Sequence, residues 1–222
     1  AINNLENKII HNSLNFELPN IIYIATLTPR KCHLDLLDAL SKTKNLFNIN
    51  LVGNPTNERI RRLIESKKTI NGNRISSNIN YFPKLNQKDL CTLLLYSSAY
   101  VSTSKNEGFG IPVLEASLYN IPLIIRDIDI NRELFSNAKF FKSTDELTKL
   151  LDKIKPLTKA KIKKRKESLK KISEENLNEL LKKNCTDEHR GTWYRRRDIQ
   201  IVVTLNQEYY RDHSGYCRAH LA

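Results

Sequence analysis

What most constrains this chain is an alternation. Apolar runs rich in Ile, Val and Tyr recur between segments whose apolar residues follow helical spacing, the pattern of a parallel sheet wrapped by helices. The runs predict strands at residues 21–27, 49–52, 79–82, 99–103, 122–125 and 139–141. Between them the spacing predicts helices at 33–42, 57–67, 87–96, 111–119 and 130–135, then one or two longer ones across 144–183. About six strands are too few to close a barrel. The expected fold class is therefore α/β: a single Rossmann-like domain, its parallel sheet of about six strands flanked by helices, with a C-terminal extension. In such sheets ligands sit outside the carboxyl ends of the strands.

A length of 222 residues accommodates one domain of this kind with an appendage, and not two. We divide it into a lead-in segment (1–20), a domain (21–184) and a tail of unknown role (185–222). The tail differs in composition: residues 1–184 use 23 lysines to 8 arginines, whereas 185–222 hold 6 arginines, no lysine and one asparagine. It contains one expected strand, Ile199–Leu205. Two readings stay open, an ordinary extension and a segment from another reading frame or a fused piece of DNA.

The amino-terminal residues lack a basic start followed by an apolar stretch, so no secretion signal is expected. Nor does any run approach the ~18 apolar residues of a membrane span. Cys32, Cys91, Cys185 and Cys217 show no C-x-x-C spacing, which argues against a zinc site or a disulfide framework and for a cytoplasmic protein. The five histidines, His11, His33, His189, His213 and His220, share no spacing, and none is assigned to catalysis.

The formal charge of +13 raises nucleic acid or an anionic membrane as partners. Much of it is local, since residues 153–171 carry ten basic groups against Glu167 alone. That segment reads equally as a solvated helix face and as a peripheral contact with the inner face of a membrane. Nucleic acid ranks low, because charge and the arginines of TWYRRRD support it without a binding motif.

The chemistry concentrates in NEGFGIPVLEA, residues 106–116. Gly108 and Gly110 bracket Phe109 just before a helix whose first turn holds Pro112, a residue suited to helix starts. Glycines let backbone approach a ligand closely, and the helix start attracts phosphate. Glu107 precedes the turn and Glu115 lies about one helical turn inside it. Carboxylates are good acceptors for sugar hydroxyls and poor partners for phosphate. An anion-binding turn between two such acids describes a site for a sugar nucleotide, and a capped strand-to-helix turn is the plain alternative.

Glu107 and Glu115 also form the E-x7-E pattern of retaining glycosyltransferases of the GT-B fold. The surrounding SKNEGFGIPVLEASLYNIPLI resembles the signature of family 4. Upstream, YIATLTPRKCHLDLLDAL is similar to that family's first strand and loop, where an Arg-Lys pair follows a proline. The segments LVGNP and INYFPKLNQKDLCTLLLYSSAYVSTS match in order, and the resemblance covers residues 20–155.

The resemblance implies a C-terminal, donor-binding domain. Glu115 would accept hydrogen bonds from the ribose and Glu107 from the donor sugar. Backbone N–H groups of Phe109, Gly110 and Ile111 would lie near sugar and diphosphate. Lys31, helped by Arg30, would neutralise the departing diphosphate. No cofactor and no metal are expected, the two cations standing in its place. The partner implied is a GDP- or UDP-linked sugar, and the TPRK form of the loop favours GDP-mannose, with a cell-surface polysaccharide or lipid-linked acceptor. Taken alone, Arg30 and Lys31 are equally surface charges before a helix. Ser102 and Ser104 are either phosphate ligands or strand-end residues. Tyr81 or Phe82 is either a base platform or core, and Glu133 either a ligand or a helix-start acid. The chain departs from the family at Ala25 and Asn120, where glycine is usual.

The family's enzymes have two such domains, so the acceptor-binding half is expected to be missing and transfer by this chain alone to be low. The alternative is a non-catalytic module that pairs with a separate acceptor-domain protein.

Overall fold

The computed structural model describes residues 14, 16–66, 69–70 and 73–174. The chain divides into two units, Ala1–Ile162 and Lys163–Ala222. The sheet and the candidate site belong to the first.

Parallel strands β1 (Asn20–Ile24), β2 (Asn48–Val52), β5 (Asn78–Phe82), β6 (Ala99–Ser102), β7 (Leu123–Arg126) and β8 (Lys139–Phe141) form one six-stranded sheet. Helix α1 (His33–Lys42) joins β1 to β2, α2 (Glu58–Ser66) follows β2, and α3 (Gln87–Tyr96) joins β5 to β6. Helix α4 (Ile111–Leu118) joins β6 to β7, α5 (Asp129–Leu134) joins β7 to β8, and α6 (Thr144–Leu151) and α7 (Lys159–Glu174) follow. This is the expected α/β architecture. Three helix and strand boundaries, those of α1, α3 and β8, fall where the residue pattern puts them.

The strand order is β5-β2-β1-β6-β7-β8. The chain winds outward from β1 through β2 to β5, then crosses back to lay β6 on the other side of β1. The reversal leaves a crevice at the carboxyl ends of β1 and β6, where doubly wound sheets bind ligands.

Period-two alternation gives the central strands β1, β2 and β6 two buried faces. Ile21 and Tyr23 of β1, Ile49 and Leu51 of β2, Ile79, Val101 and Ile124 share a core with Leu36, Leu37 and Leu40 of α1, Ile60 and Ile64 of α2, and Leu147 and Leu151 of α6. Ile22, Tyr100 and Ile125 occupy the alternate positions and are equally buried, on the side where α3 and α4 lie against β1, β6 and β7. In register across β1, β2 and β5, asparagines serve one another: Asn48 Nδ2 donates to Asn20 Oδ1 at 2.7 Å, and Asn80 Nδ2 to Asn48 Oδ1 and Asn50 Oδ1 at 3.1 Å.

Two details differ from expectation. β1 ends at Ile24, not Leu27, although Ala25 N still donates to Val52 O at 2.8 Å and Leu27 N to Asn54 O at 2.9 Å. A two-stranded antiparallel ribbon, β3 (Thr69–Ile70) and β4 (Asn73–Arg74), was not expected, although Asn71-Gly72 between them is a strong hairpin dipeptide. Of the one or two longer helices expected from residue 144 on, the described residues show two, α6 and α7, separated by a stretch that contains Pro156. The lead-in residues 1–13, helix residues beyond Glu174, the tail 185–222 with its expected strand, Cys185, Cys217 and His11, His189, His213 and His220 lie outside the described residues. Among the described residues, no helix is long and apolar enough to cross a membrane.

Candidate functional site

The loop after β1 turns through a short 3-10 segment, Pro29–Lys31, and enters α1 at Cys32, which holds φ 49° and ψ 43°. A non-glycine residue in that left-handed region costs roughly 1–2 kcal/mol, so surrounding bonds must hold it there. Those bonds converge on Lys31. Its carbonyl accepts from Tyr23 Oη at 2.5 Å and from Thr103 Oγ1 at 3.0 Å, and Thr103 Oγ1 also lies 2.8 Å from Cys32 O. Thr103 in turn is anchored by Arg126 Nε, which donates to its carbonyl at 2.8 Å. Arg126 is buried over the Phe141 ring and paired with Asp35 of α1.

The loop after β6 lies alongside. Lys105 N donates to Arg30 O at 3.1 Å, and Arg30 Nη1 to Asn106 O at 2.5 Å. Ser104 Oγ donates to Asn106 O at 2.9 Å. Thus two loops separated by about seventy residues are joined at the crevice between β1 and β6. Across the joint, Lys31 Nζ lies 2.6 Å from both Oε1 and Oε2 of Glu107, with side chains only 13% and 11% exposed.

Gly110 caps α4 with φ 71°, a conformation glycine adopts without penalty. Pro112 follows in the first turn, and no side chain caps that turn. Gly108 does not share this need, because among the described glycines only Gly53 and Gly110 have positive φ. Phe109 and Ile111 are half-buried on either side of Gly110, while Gly108 is exposed.

Glu115 faces inward from α4 and is half-buried. Burial pushes its pKa from 4.5 up to about 7, and no cation or hydrogen-bond donor to its carboxylate occurs among the described residues. Tyr100, fully buried in β6, has its phenol pKa raised first by burial and then by the charges of Tyr23, Glu107 and Glu115. Both glutamates therefore lie within electrostatic reach of one buried side chain.

The other candidates sort themselves by contact. Ser102 and Ser104 are buried, and Ser104 is spent on the Asn106 carbonyl. Tyr81 donates to Gly53 O at 3.0 Å and packs on the core, and Phe82 is buried. Glu133 is exposed on α5. Asn120 takes φ 51° beyond α4, the left-handed state that asparagine tolerates. Ala25 packs where a Cβ on Gly53 would fall 2.0 Å from its carbonyl oxygen, so Gly53 sets how closely the loops after β1 and β2 approach. A D-x-D spelling does occur, at Asp127-Ile128-Asp129, but Asp127 is engaged by Arg132 and by Lys142, 3.7 Å away. Among the described residues no group of three or more His, Cys, Asp or Glu side chains is placed to hold a metal ion.

His33, at the start of α1, is buried, stacks on Tyr23 with ring centroids 4.7 Å apart, and has its pKa lowered to about 4, chiefly by burial and then by the charge of Lys31. It is a neutral packing residue near neutral pH. The sequence reading missed Tyr23, Thr103, Arg126 and Asp35. Of these only Thr103, at the end of a strand beside the motif, carried any local signal.

A basic loop faces an acid-flanked helix start across the β1–β6 crevice of a doubly wound sheet. The model of the glycosyl transferases group 1 family matches residues 6–182, and the chain belongs to that family. It is 29% identical over 139 residues to the serotype-specific mannosyltransferase WbdA of Escherichia coli, covering 56% of this chain and 15% of that protein. It is 42% identical over 55 residues to the O-antigen chain mannosyltransferase RfbU of Salmonella typhimurium, covering 24% of this chain and 16% of that protein. Among solved structures it resembles Anabaena HepE in complex with UDP-glucose, with a TM-score of 0.55 and 19% identity over 96% of this chain and 52% of that one. The last likeness is one of fold, GT-B and Rossmann-like. The chain spans about one sixth of the curated relatives it matches and half of this solved one.

Proposed function

We propose that this chain is the donor-binding, C-terminal domain of a retaining family 4 glycosyltransferase, holding a GDP- or UDP-linked hexose, with GDP-mannose first. The observation that carries it is the convergence of Lys31 and Glu107 at the β1–β6 crevice, with Glu115, which has no partner among the described residues, one helical turn into α4. Glu115 accepts from the ribose hydroxyls, and Glu107 from hydroxyls of the sugar. Phe109, Gly110 and Ile111 line sugar and diphosphate with backbone. Lys31 and Arg30 meet the diphosphate, whose negative charge grows as the bond to the anomeric carbon breaks. No metal ion or other cofactor takes part.

The mannosyltransferase names of two relatives favour mannose and a cell-surface polysaccharide or lipid-linked acceptor. The reaction takes place in the cytoplasm. Basic α7, whose Lys159, Lys161, Lys163 and Lys164 are exposed, suits the inner face of a membrane. Because a glycosyl transfer needs both substrates oriented together, a chain spanning half of its solved relative is expected to bind donor and transfer little by itself. A thermal-shift panel of nucleotide sugars tests the reading. A rise in melting temperature with GDP-mannose that Glu115→Ala abolishes supports it, and no shift with any nucleotide sugar contradicts it.

A further inference from the structure

We propose that the Lys31–Glu107 ion pair makes the site select against the sugar-free nucleoside diphosphate, so that Glu107 is a specificity determinant as well as a sugar ligand. This rests on the donor-site reading above. Both Glu107 oxygens lie 2.6 Å from Lys31 Nζ in a nearly enclosed setting, so the ligand-free crevice is electrically balanced at the point where a diphosphate must dock. The main chain of Lys31 is fixed, so its ammonium can turn but stays within reach of Glu107. Its carbonyl is held by Tyr23 and Thr103, and Thr103 by Arg126. The ammonium has to serve the phosphate from beside Glu107, and the carboxylate stays near any anion that Lys31 accepts.

Two things then separate the ligands. A nucleotide sugar places hydroxyl donors against Glu107, replacing the hydrogen bonds it gives up when Lys31 turns to the phosphate. A free nucleoside diphosphate brings no such donor. It also ends in a phosphate whose second ionisation falls near neutral pH, which adds negative charge beside a carboxylate in a poorly screened position. The same pair that receives the donor therefore helps to expel the product once the sugar is gone. Arg30, exposed and bonded to the Asn106 carbonyl through one nitrogen, keeps other donors for the diphosphate and is indifferent to whether sugar is attached.

The test is calorimetric titration of the full 222-residue chain with two probe pairs, GDP against GDP-mannose and UDP against UDP-glucose. With Glu107→Gln we expect the free diphosphate to bind about fivefold to tenfold tighter and the nucleotide sugar about tenfold weaker than in the original chain. Glu107→Asp, which keeps the charge, should retain the original order of affinities. If Glu107→Gln does not fold, Lys31→Met compared with Lys31→Met/Glu107→Gln gives the same reading, the double variant binding the diphosphate more tightly. Unchanged or weaker diphosphate binding on removing the Glu107 charge overturns the inference while leaving the donor site standing, provided nucleotide sugars still bind and Glu115→Ala weakens them. No binding of either pair by the original chain overturns both.

Discussion

Glu107 and Glu115 are the same residue type, eight positions apart around one glycine turn, yet the chain treats them in opposite ways. Glu107 sits on the loop after β6 with a cation on both oxygens, in a joint braced by Tyr23, Thr103 and Arg126. Glu115 is on α4, half-buried, with its pKa pushed up to about 7 by burial alone. The first region is satisfied before any ligand arrives. The second has no partner among the described residues, and in the proposed function the hydroxyl donors of a ligand supply one. A pairing within the protein sets geometry, whereas an unmet acceptor holds binding energy in reserve.

The sharpest way to break the comparison is to make Glu107 resemble Glu115. Lys31→Met strips a nearly enclosed carboxylate of its cation. Because the pair keeps some access to water, we expect a loss of about 2–3 kcal/mol, toward the low end for breaking a buried pair. Lys31→Met/Glu107→Leu should recover most of it. Chemical denaturation of the original chain and both variants measures this, and equal losses in the single and double variants would mean that the pair is not the cause.

The converse change relieves Glu115. Its folded-state pKa of about 7 lies above the ordinary 4.5, so between those values the folded chain keeps a proton that the unfolded chain has released. The stability associated with this proton is complete below about pH 4.5 and is lost as pH rises through 7. Glu115→Gln should therefore stabilise the chain by up to about 3 kcal/mol at pH 8 and by almost nothing at pH 4.5. It should also weaken the binding of nucleotide sugar. Melting curves at the two pH values check the first claim, and an effect independent of pH would show that desolvation of the charge is not responsible.

A smaller effect probes the brace. Cys32 occupies the left-handed region at φ 49°, and Cys32→Gly should gain about 1 kcal/mol by removing that strain, offset in part by the added freedom of the unfolded chain. Lys31 should be less firmly placed as a result, with weaker diphosphate binding despite higher stability. A loss of stability instead would show that the Cys32 side chain contributes packing.

Much of this was legible in the residues. The β-branched runs and the helical spacing of HLDLLDAL and QKDLCTLLLY located six strands and the bounds of α1 and α3, because those segments bury one consistent face. The two glycines and Pro112 marked the start of α4. The strand order and the joint between loops were not legible, since the bond from Lys31 to Glu107 spans 76 positions and no local pattern encodes it. Strands β3 and β4, two residues each, are too short for periodicity to register. The different electrostatic settings of the two glutamates are properties of three-dimensional burial. E-x7-E announces two acids, and the packing of α4 against the sheet makes one of them a strained acceptor.

The most direct measurement is the affinity for GDP-mannose as a function of pH in the original chain and in Glu115→Gln. The diphosphate diester of a nucleotide sugar has no ionisation near pH 7, so the dependence reports on the protein. If Glu115 must be ionised to take the ribose hydroxyls, binding should tighten about tenfold between pH 6 and pH 8, with a midpoint near its pKa of about 7. In Glu115→Gln it should be weak and flat. A flat profile in the original chain, or the same slope in both proteins, would contradict the account.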